Sequence, residues 1–354
     1  MREIVIDHPT GEASGLLAIR NRSVLEAHGW DLGFWTCSDE DPVEKALGAL
    51  GRSADSPDDW ELCRLPKARP SLSKKTEDCE AMARWGNHIY IFGSQSGSKP
   101  GPLRPRRHFV ARFDESRIQG RLDEARVDLE ISRGTFRLHR LINDALRESG
   151  LELIERGPHE VDRTIRKTRK KGKKLGKKWA ARLHEEDWPI NIEGVAFRTN
   201  GALLVGLRYP VTRDGHPILV EVDGIDRYFF DPPESEPAVT GLWVLADVGS
   251  AAEPRGVRAI EEDVEGGCFH VITGSLESDP EQSVLLRDHP EGAEAASRHH
   301  RVTLEGASPG PIRTEPVHLA GDETKIEGLA IDTEGSFCYV MDDDKIRLRC
   351  IRPR

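Results

Sequence analysis

Long apolar runs are missing from this chain. No uninterrupted hydrophobic stretch approaches the ~18 residues that a membrane-crossing helix needs. The amino terminus, MREIVIDHPTGE, has no basic start followed by an apolar block, so no secretory leader is expected and the chain reads as cytoplasmic. Cysteine is sparse: Cys37, Cys63, Cys79, Cys268, Cys338 and Cys350 form no Cys-x-x-Cys pair and no Cys/His cluster at zinc spacing. Several lie inside apolar runs such as CFHVITG and FCYVMD, which predicts buried, reduced thiols and argues against both zinc and a disulfide framework. Long helices are also scarce in prospect, because 33 Gly and 22 Pro in 354 residues favour many turns.

What the chain does contain is charge, unevenly placed. Charged residues make up 32% and the net charge is −10, yet residues 163–182 carry eleven Lys/Arg and no Asp or Glu, which leaves −21 on the remainder. An acidic body with one basic segment points to an intramolecular contact, a polyanion or a protein partner for that segment.

The hydrophobic pattern has period two. GFWTCSD, HIYIFGS, ALLVGLR, PILVEV, GLWVLADV, CFHVITGS, HHRVTLE and SFCYVMD are short runs bounded by Gly, Pro, Asn, Asp or Ser, the pattern of many short strands. Residues 134–187 are the exception. Apolar positions 138, 141, 142 and 146 predict a helix ending near Gly150, followed by the basic stretch; we read the segment as a helical or partly disordered insertion.

An internal repeat organises the rest. EDCEAMARWGNHIYIFGS, NIEGVAFRTNGALLVGLR and KIEGLAIDTEGSFCYVMD align, with Glu80, Glu193 and Glu327 at one shared position. EASGLLAI places Ser14 there and GVRAIEED places Arg258. These positions are 66, 113, 65 and 69 residues apart, and the long step contains the insertion. Four strands per unit and no helices between units predict an all-β fold, a β-propeller of five four-stranded blades, or six if one hides in the insertion. The last unit lacks an outer strand, which the amino-terminal REIVIDHP is expected to supply. On this reading residues 1–354 form a single domain with 134–187 inserted; a β-sandwich or two smaller β domains is the alternative. Unit four is expected to take SVLLRD as its third strand and RVTLEG as its fourth.

In a propeller the repeated residue of each first strand joins a ring around one mouth of the central channel. That ring would hold Ser14, Glu80, Glu193, Arg258 and Glu327, with Asp39, Ser94, Arg208, Ser275 and Asp342 nearby. Converging carboxylates need a cation, a proton or an arginine between them. Glu80, Glu193, Glu327 and Asp342 are therefore candidate ligands of Ca²⁺, which accepts six to eight oxygens. Ser14, Ser94, Arg208 and Arg258 are candidate contacts to an anionic ligand. The competing reading is that the repeated acid only hydrogen-bonds the backbone of the next blade.

These IEG(V/L)A units resemble the phytase-like esterase propellers and related calcium-associated bacterial propellers. They are more similar still to an uncharacterised bacterial propeller domain family with NIEG(V/L)A…LLVGLR and GVR repeats. The resemblance implies a propeller with an acidic, metal-binding mouth, and Ser14 and Arg258 depart from its pattern. Metal-assisted ester or phosphoester hydrolysis, or binding of a small anion, follows as the functional expectation. The alternative is a scaffold that binds a polyanion such as nucleic acid, or a protein, through Arg169, Lys170, Lys171, Lys173, Lys174, Lys177 and Lys178. Trp179 is the one aromatic side chain in that stretch that could stack on a base.

Other motifs carry less. GSQSG at 93–97 has Gln95 where a nucleophile elbow needs serine. GKKLGKK lacks the spacing and the Ser/Thr of a phosphate-binding loop. His299-His300 is expected on an outer strand as an exposed or partly buried pair. Lys99, Arg104, Arg106 and Arg107 form a second basic patch expected to overhang the mouth.

Overall fold

The computed structural model of the chain describes residues 2–6, 13–56, 58–71, 76–229, 236–305, 308–319, 325–343 and 345–351. It is mostly β, in five sheets. After β1 (Arg2–Ile6) comes a sheet of β2 (Ser14–Ala18), β3 (Trp30–Cys37), β4 (Leu47–Ser53) and β5 (Trp60–Arg64). The second sheet orders β6 (Arg69–Pro70), β10 (Asp128–Ser132), β9 (Val110–Asp114), β8 (His88–Gly93) and β7 (Cys79–Trp85). The third runs β11 (Asn191–Phe197), β12 (Leu203–Tyr209), β13 (Ile218–Asp223), β14 (Ala238–Leu245) and, in parallel, β18 (Gly310–Ile312). The fourth holds β15 (Gly256–Asp263), β16 (Cys268–Gly274), β17 (Arg298–Val302) and β19 (Thr314–Val317). The fifth holds β20 (Ile326–Ile331), β21 (Phe337–Asp343), β22 (Lys345–Ile351) and β1, which pairs antiparallel with β22.

The five first strands are mutual neighbours: β2 lies beside β7, β7 beside β11, β11 beside β15, β15 beside β20, and β20 beside β2. Burial follows the same cycle, because both faces of each sheet are covered and alternate residues serve different junctions. Trp35 packs toward the second sheet and Phe34 toward the fifth; Leu203 packs toward the second and Leu204 toward the fourth; Val271 packs toward the third and Ile272 toward the fifth. All six side chains are fully buried, and each is worth roughly 1.5–3 kcal/mol of burial or more. This two-sided burial explains why the strands read as apolar runs as well as alternations.

Residues 134–187 contain the expected helix, Arg137–Glu148, with Leu138, Ile142 and Leu146 buried against the second and third sheets. Gly150 is left-handed, at φ 72°. A helical stretch over 158–174 follows.

Three expectations need correction. SVLLRD is a short helix, Val284–Asp288, because the Ser283 side chain caps its first turn; RVTLEG instead contributes to the third strand β17, and the outer strand is Thr314–Val317. Cys338 and Cys350 are disulfide-bonded, because the β21–β22 register sets them directly opposite one another; the other four cysteines are free. His299 and His300 are both buried, on the third strand of their sheet.

Candidate functional site

The repeated position has a local structural cause. In β7, β11, β15 and β20 the pairing register slips at Glu80, Glu193, Arg258 and Glu327 respectively. Each is the extra, unpaired residue of a β-bulge, a device that re-aims a side chain out of the sheet's alternation. In β2 the slip falls between Ser14 and Leu17. The small residue after each bulge has its own reason. A Cβ on Gly328 would stand 2.8 Å from the carbonyl carbon of Gly15, and one on Gly194 would stand 3.0 Å from that of Ala259. At these two junctions the adjacent first strands approach this closely only with Gly at that place.

The bulges aim their side chains into one cavity of about 840 Å³. Ser14, Glu80, Glu193, Arg208, Arg258 and Glu327 all line it, as do Asp39, Lys99, Arg104 and Arg107. Ser94 does not reach the wall: it is buried, with its hydroxyl 2.9 Å from that of Ser96. Ser275 contributes its carbonyl, which accepts from Arg208 Nε at 3.1 Å. The side chain of Asp342 lies outside the described residues.

Inside the cavity the charges fall into two groups. One is an alternating chain in which Arg208 binds Glu193, Glu193 meets Arg258 Nε at 3.0 Å, and Arg258 binds Glu327. Arg208, Glu193 and Arg258 are all at least nine-tenths buried. Burial opposes the charge of Arg208, but Glu193 and Glu277 together hold its pKa above the ordinary value. Arg208 Nη2 and Arg258 Nη1 have no hydrogen-bond partner among the described residues.

The second group is acidic. Glu80 has no hydrogen bond or ion pair among the described residues. Burial, then the neighbouring charges of Asp78, Glu193 and Asp39, push its pKa well above the carboxylate range. Asp78 is raised to about 6, mainly by burial, although Arg107 at 2.8 Å pulls the other way. Sequence reasoning missed Asp78, because it precedes the repeat and enters the cavity through a left-handed backbone, φ 70°, that Asp tolerates better than most residues. The second basic patch was legible: Lys99, Arg104 and Arg107 do face the cavity.

Of the expected calcium ligands, Glu193 and Glu327 are engaged by Arg208 and Arg258, which leaves Glu80 without an ion pair among the described residues. The oxygens of Glu80, Glu193 and Glu327 do not lie within 4.8 Å of one another, the closeness of a common metal ligand set among the described residues.

In the basic segment, Lys170, Lys171, Lys173, Lys174, Lys177 and Lys178 are exposed and have no ion-pair partner among the described residues. Arg169 instead pairs with Glu185 at 3.0 Å. Trp179 is half-buried against Phe136, with ring centroids 5.0 Å apart, which withdraws it from base stacking.

No protein-family model matches the chain, and no curated protein matches it. Among solved structures it is similar to a GH43 β-1,3-galactosidase with galactodeoxynojirimycin, at 12% identity over 97% of this chain and 90% of that one, TM-score 0.43. A putative oxidoreductase (glucose dehydrogenase) from Thermus thermophilus is similar at 12% identity over 99% of both chains, TM-score 0.40. An engineered GH43 glycoside hydrolase, titled as displaying endo-xylanase and exo-arabinofuranosidase activity, is similar at 10% identity over 99% of this chain and 52% of that one, TM-score 0.41. Likenesses this slight carry no activity across.

Proposed function

We propose that the five sheets are the blades of a five-bladed β-propeller closed by its amino-terminal strand, and that the mouth cavity binds a small anionic ester or phosphoester and hydrolyses it without a metal. The observation that carries this reading is the pair of buried guanidinium nitrogens without a hydrogen-bond partner among the described residues, Arg208 Nη2, which has only Glu277 at 3.9 Å, and Arg258 Nη1, in a cavity that also holds two carboxyls of raised pKa. Guanidinium groups suit anionic oxygens by their fixed fork of donors.

Two carboxyls whose environments separate their pKa values make an acid–base pair. Above about pH 6 Asp78 is ionised and accepts a proton from the attacking water. Glu80, still protonated, gives its proton to the leaving oxygen as the ester bond breaks. The net change is one water consumed and one acid and one alcohol formed, with Asp78 passing its proton to solvent and Glu80 regaining one. Rate should therefore rise through about pH 6 and fall again above the raised pKa of Glu80.

The test is turnover of a chromogenic phosphate monoester and a chromogenic carboxylate ester, with chelator present. Glu80→Gln should lower kcat by about 100-fold or more while leaving the binding of inorganic phosphate in place. Undiminished turnover in that variant would refute the assignment.

A second reading rests on the six exposed, unpaired lysines. We propose that this segment contacts a polyanion through charge alone, since Trp179 is packed away. Six phosphate contacts predict a slope of about −5 for log K against log salt on duplex DNA. A slope near zero, or retention that survives deletion of the lysines, would remove this reading.

A further inference from the structure

At the far end of β15 from the mouth, the sheet register builds a second cluster that the mouth chemistry does not use. Asp263 closes β15 directly opposite Cys268, the first residue of β16, and His270 follows two residues later on the same face. His270 in turn sits opposite Arg301 of β17. Three different donor atoms consequently meet: Asp263 Oδ2 is 3.7 Å from His270 Nε2 and 3.8 Å from Cys268 Sγ, and Cys268 Sγ is 3.9 Å from His270 Nε2.

Each donor is held by something behind it. The backbone N–H of Gly266 donates to Asp263 Oδ1 at 2.8 Å, which leaves Oδ2 turned toward the other two. A side chain at 266 would collide with that carboxylate, since its Cβ would stand 2.2 Å from Oδ2. His270 Nδ1 lies 2.8 Å from His299 Nε2, and His299 Nδ1 lies 2.9 Å from the Tyr339 hydroxyl. A proton on each Nδ1 satisfies this buried relay and leaves His270 Nε2 with a free lone pair. Arg301 Nε donates to Cys268 Sγ at 3.1 Å and is itself tied to Glu315 and to the Gly266 carbonyl, which fixes the sulfur in place.

We propose that Asp263, Cys268 and His270 form a binding site for a borderline divalent cation, Zn²⁺ by preference, with the fourth coordination position open to solvent. One sulfur, one imidazole nitrogen and one carboxylate oxygen are the donors zinc takes, and three protein ligands plus water is its open-site arrangement. A tetrahedral site with metal–ligand distances of about 2.0–2.3 Å has donor–donor edges of about 3.3–3.6 Å. The observed 3.7–3.9 Å closes to that range by shifts of a few tenths of an ångström. Cys268 and His270 are buried, while Asp263 keeps 29% of its side chain exposed. His299 and Tyr339 are positioning residues: they act on the metal only through the His270 ring. The spacing Asp-x4-Cys-x-His escapes a search for paired cysteines, because the third ligand comes from across a hairpin. The inference is independent of the function proposed for the mouth cavity.

The full chain, stripped with chelator and dialysed, is titrated with Co²⁺ and then with Zn²⁺. One equivalent of Co²⁺ should produce thiolate-to-metal charge-transfer absorption and the intense visible bands of four-coordinate cobalt, and Zn²⁺ should displace both. Cys268→Ser should abolish the charge-transfer band. Asp263→Asn, at a partly exposed position that keeps the Gly266 contact, should weaken binding at least tenfold in a chain whose melting is unchanged. His299→Phe should retain the charge-transfer band but lower affinity by about 10- to 100-fold. Absence of the band in the wild-type chain, its persistence in Cys268→Ser, or unchanged affinity in Asp263→Asn would overturn the proposal.

Discussion

At the scale of single residues, the mouth cavity separates two kinds of glutamate that look identical in the repeat. Glu193 stands between two buried arginines, whereas Glu80 stands among other acids. Truncating Glu193 strips compensation from Arg208 and Arg258, so Glu193→Ala should cost about 3–5 kcal/mol, read as a lowered denaturant midpoint with an unchanged m-value. Glu80→Gln should be neutral or stabilising in the same assay. The pH dependence follows from the same contrast. A carboxyl with a raised folded pKa binds more protons when folded, so stability falls as pH climbs from the unfolded value toward the folded one. Asp78 should therefore erode stability between about pH 4 and about pH 6, and Glu80 should continue the decline above that. Urea midpoints measured across this range should drop in the wild type and drop less in Glu80→Gln; a rise with pH would contradict the crowded-acid account.

At the scale of elements, the bulge and the small residue behind it are one device, and the sequence displays both as Glu-Gly, Glu-Ala, Arg-Ala and Ser-Gly. Gly328→Val would drive a branched side chain against the backbone of Gly15 and Leu16. The expected penalty is about 1–3 kcal/mol, measurable by thermal unfolding, with little effect if the strands could slide apart. The repeat made these elements readable because an aligned residue marks the same bulge in four strands. Other elements were less legible for definite reasons. SVLLRD is too short for periodicity to tell strand from helix, and the Ser283 cap decides it. The true outer strand, TEPV, contains proline and two polar residues, so it has no strand signature. The Cys338–Cys350 bond becomes visible only once register is known. The Asp263–Cys268–His270 cluster was hidden for the same reason.

At the scale of the whole molecule, five junctions of similar construction share the stability, and the chain ends meet in one sheet through β1 and β22. Deleting residues 1–6 should uncover the β22 edge, lower the melting temperature and promote association between copies; a truncated chain with unaltered melting would show that the strand is dispensable. The ring of bulge residues was legible in the sequence, but its chemistry was not. Whether a carboxylate meets an arginine or another acid depends on neighbours brought from other sheets, such as Arg208 and Asp78. By this proposal the buried donors of Arg208 and Arg258 bind an anion without a metal. Calorimetric titration of the full chain with inorganic phosphate, in chelator, tests it most directly, with Arg208→Lys alongside as a variant that keeps the charge but loses the fork. Saturable binding to one site in the wild type, weakened at least tenfold in the variant, is the predicted result. Binding that appears only with added divalent metal, or that is indifferent to Arg208, would contradict it.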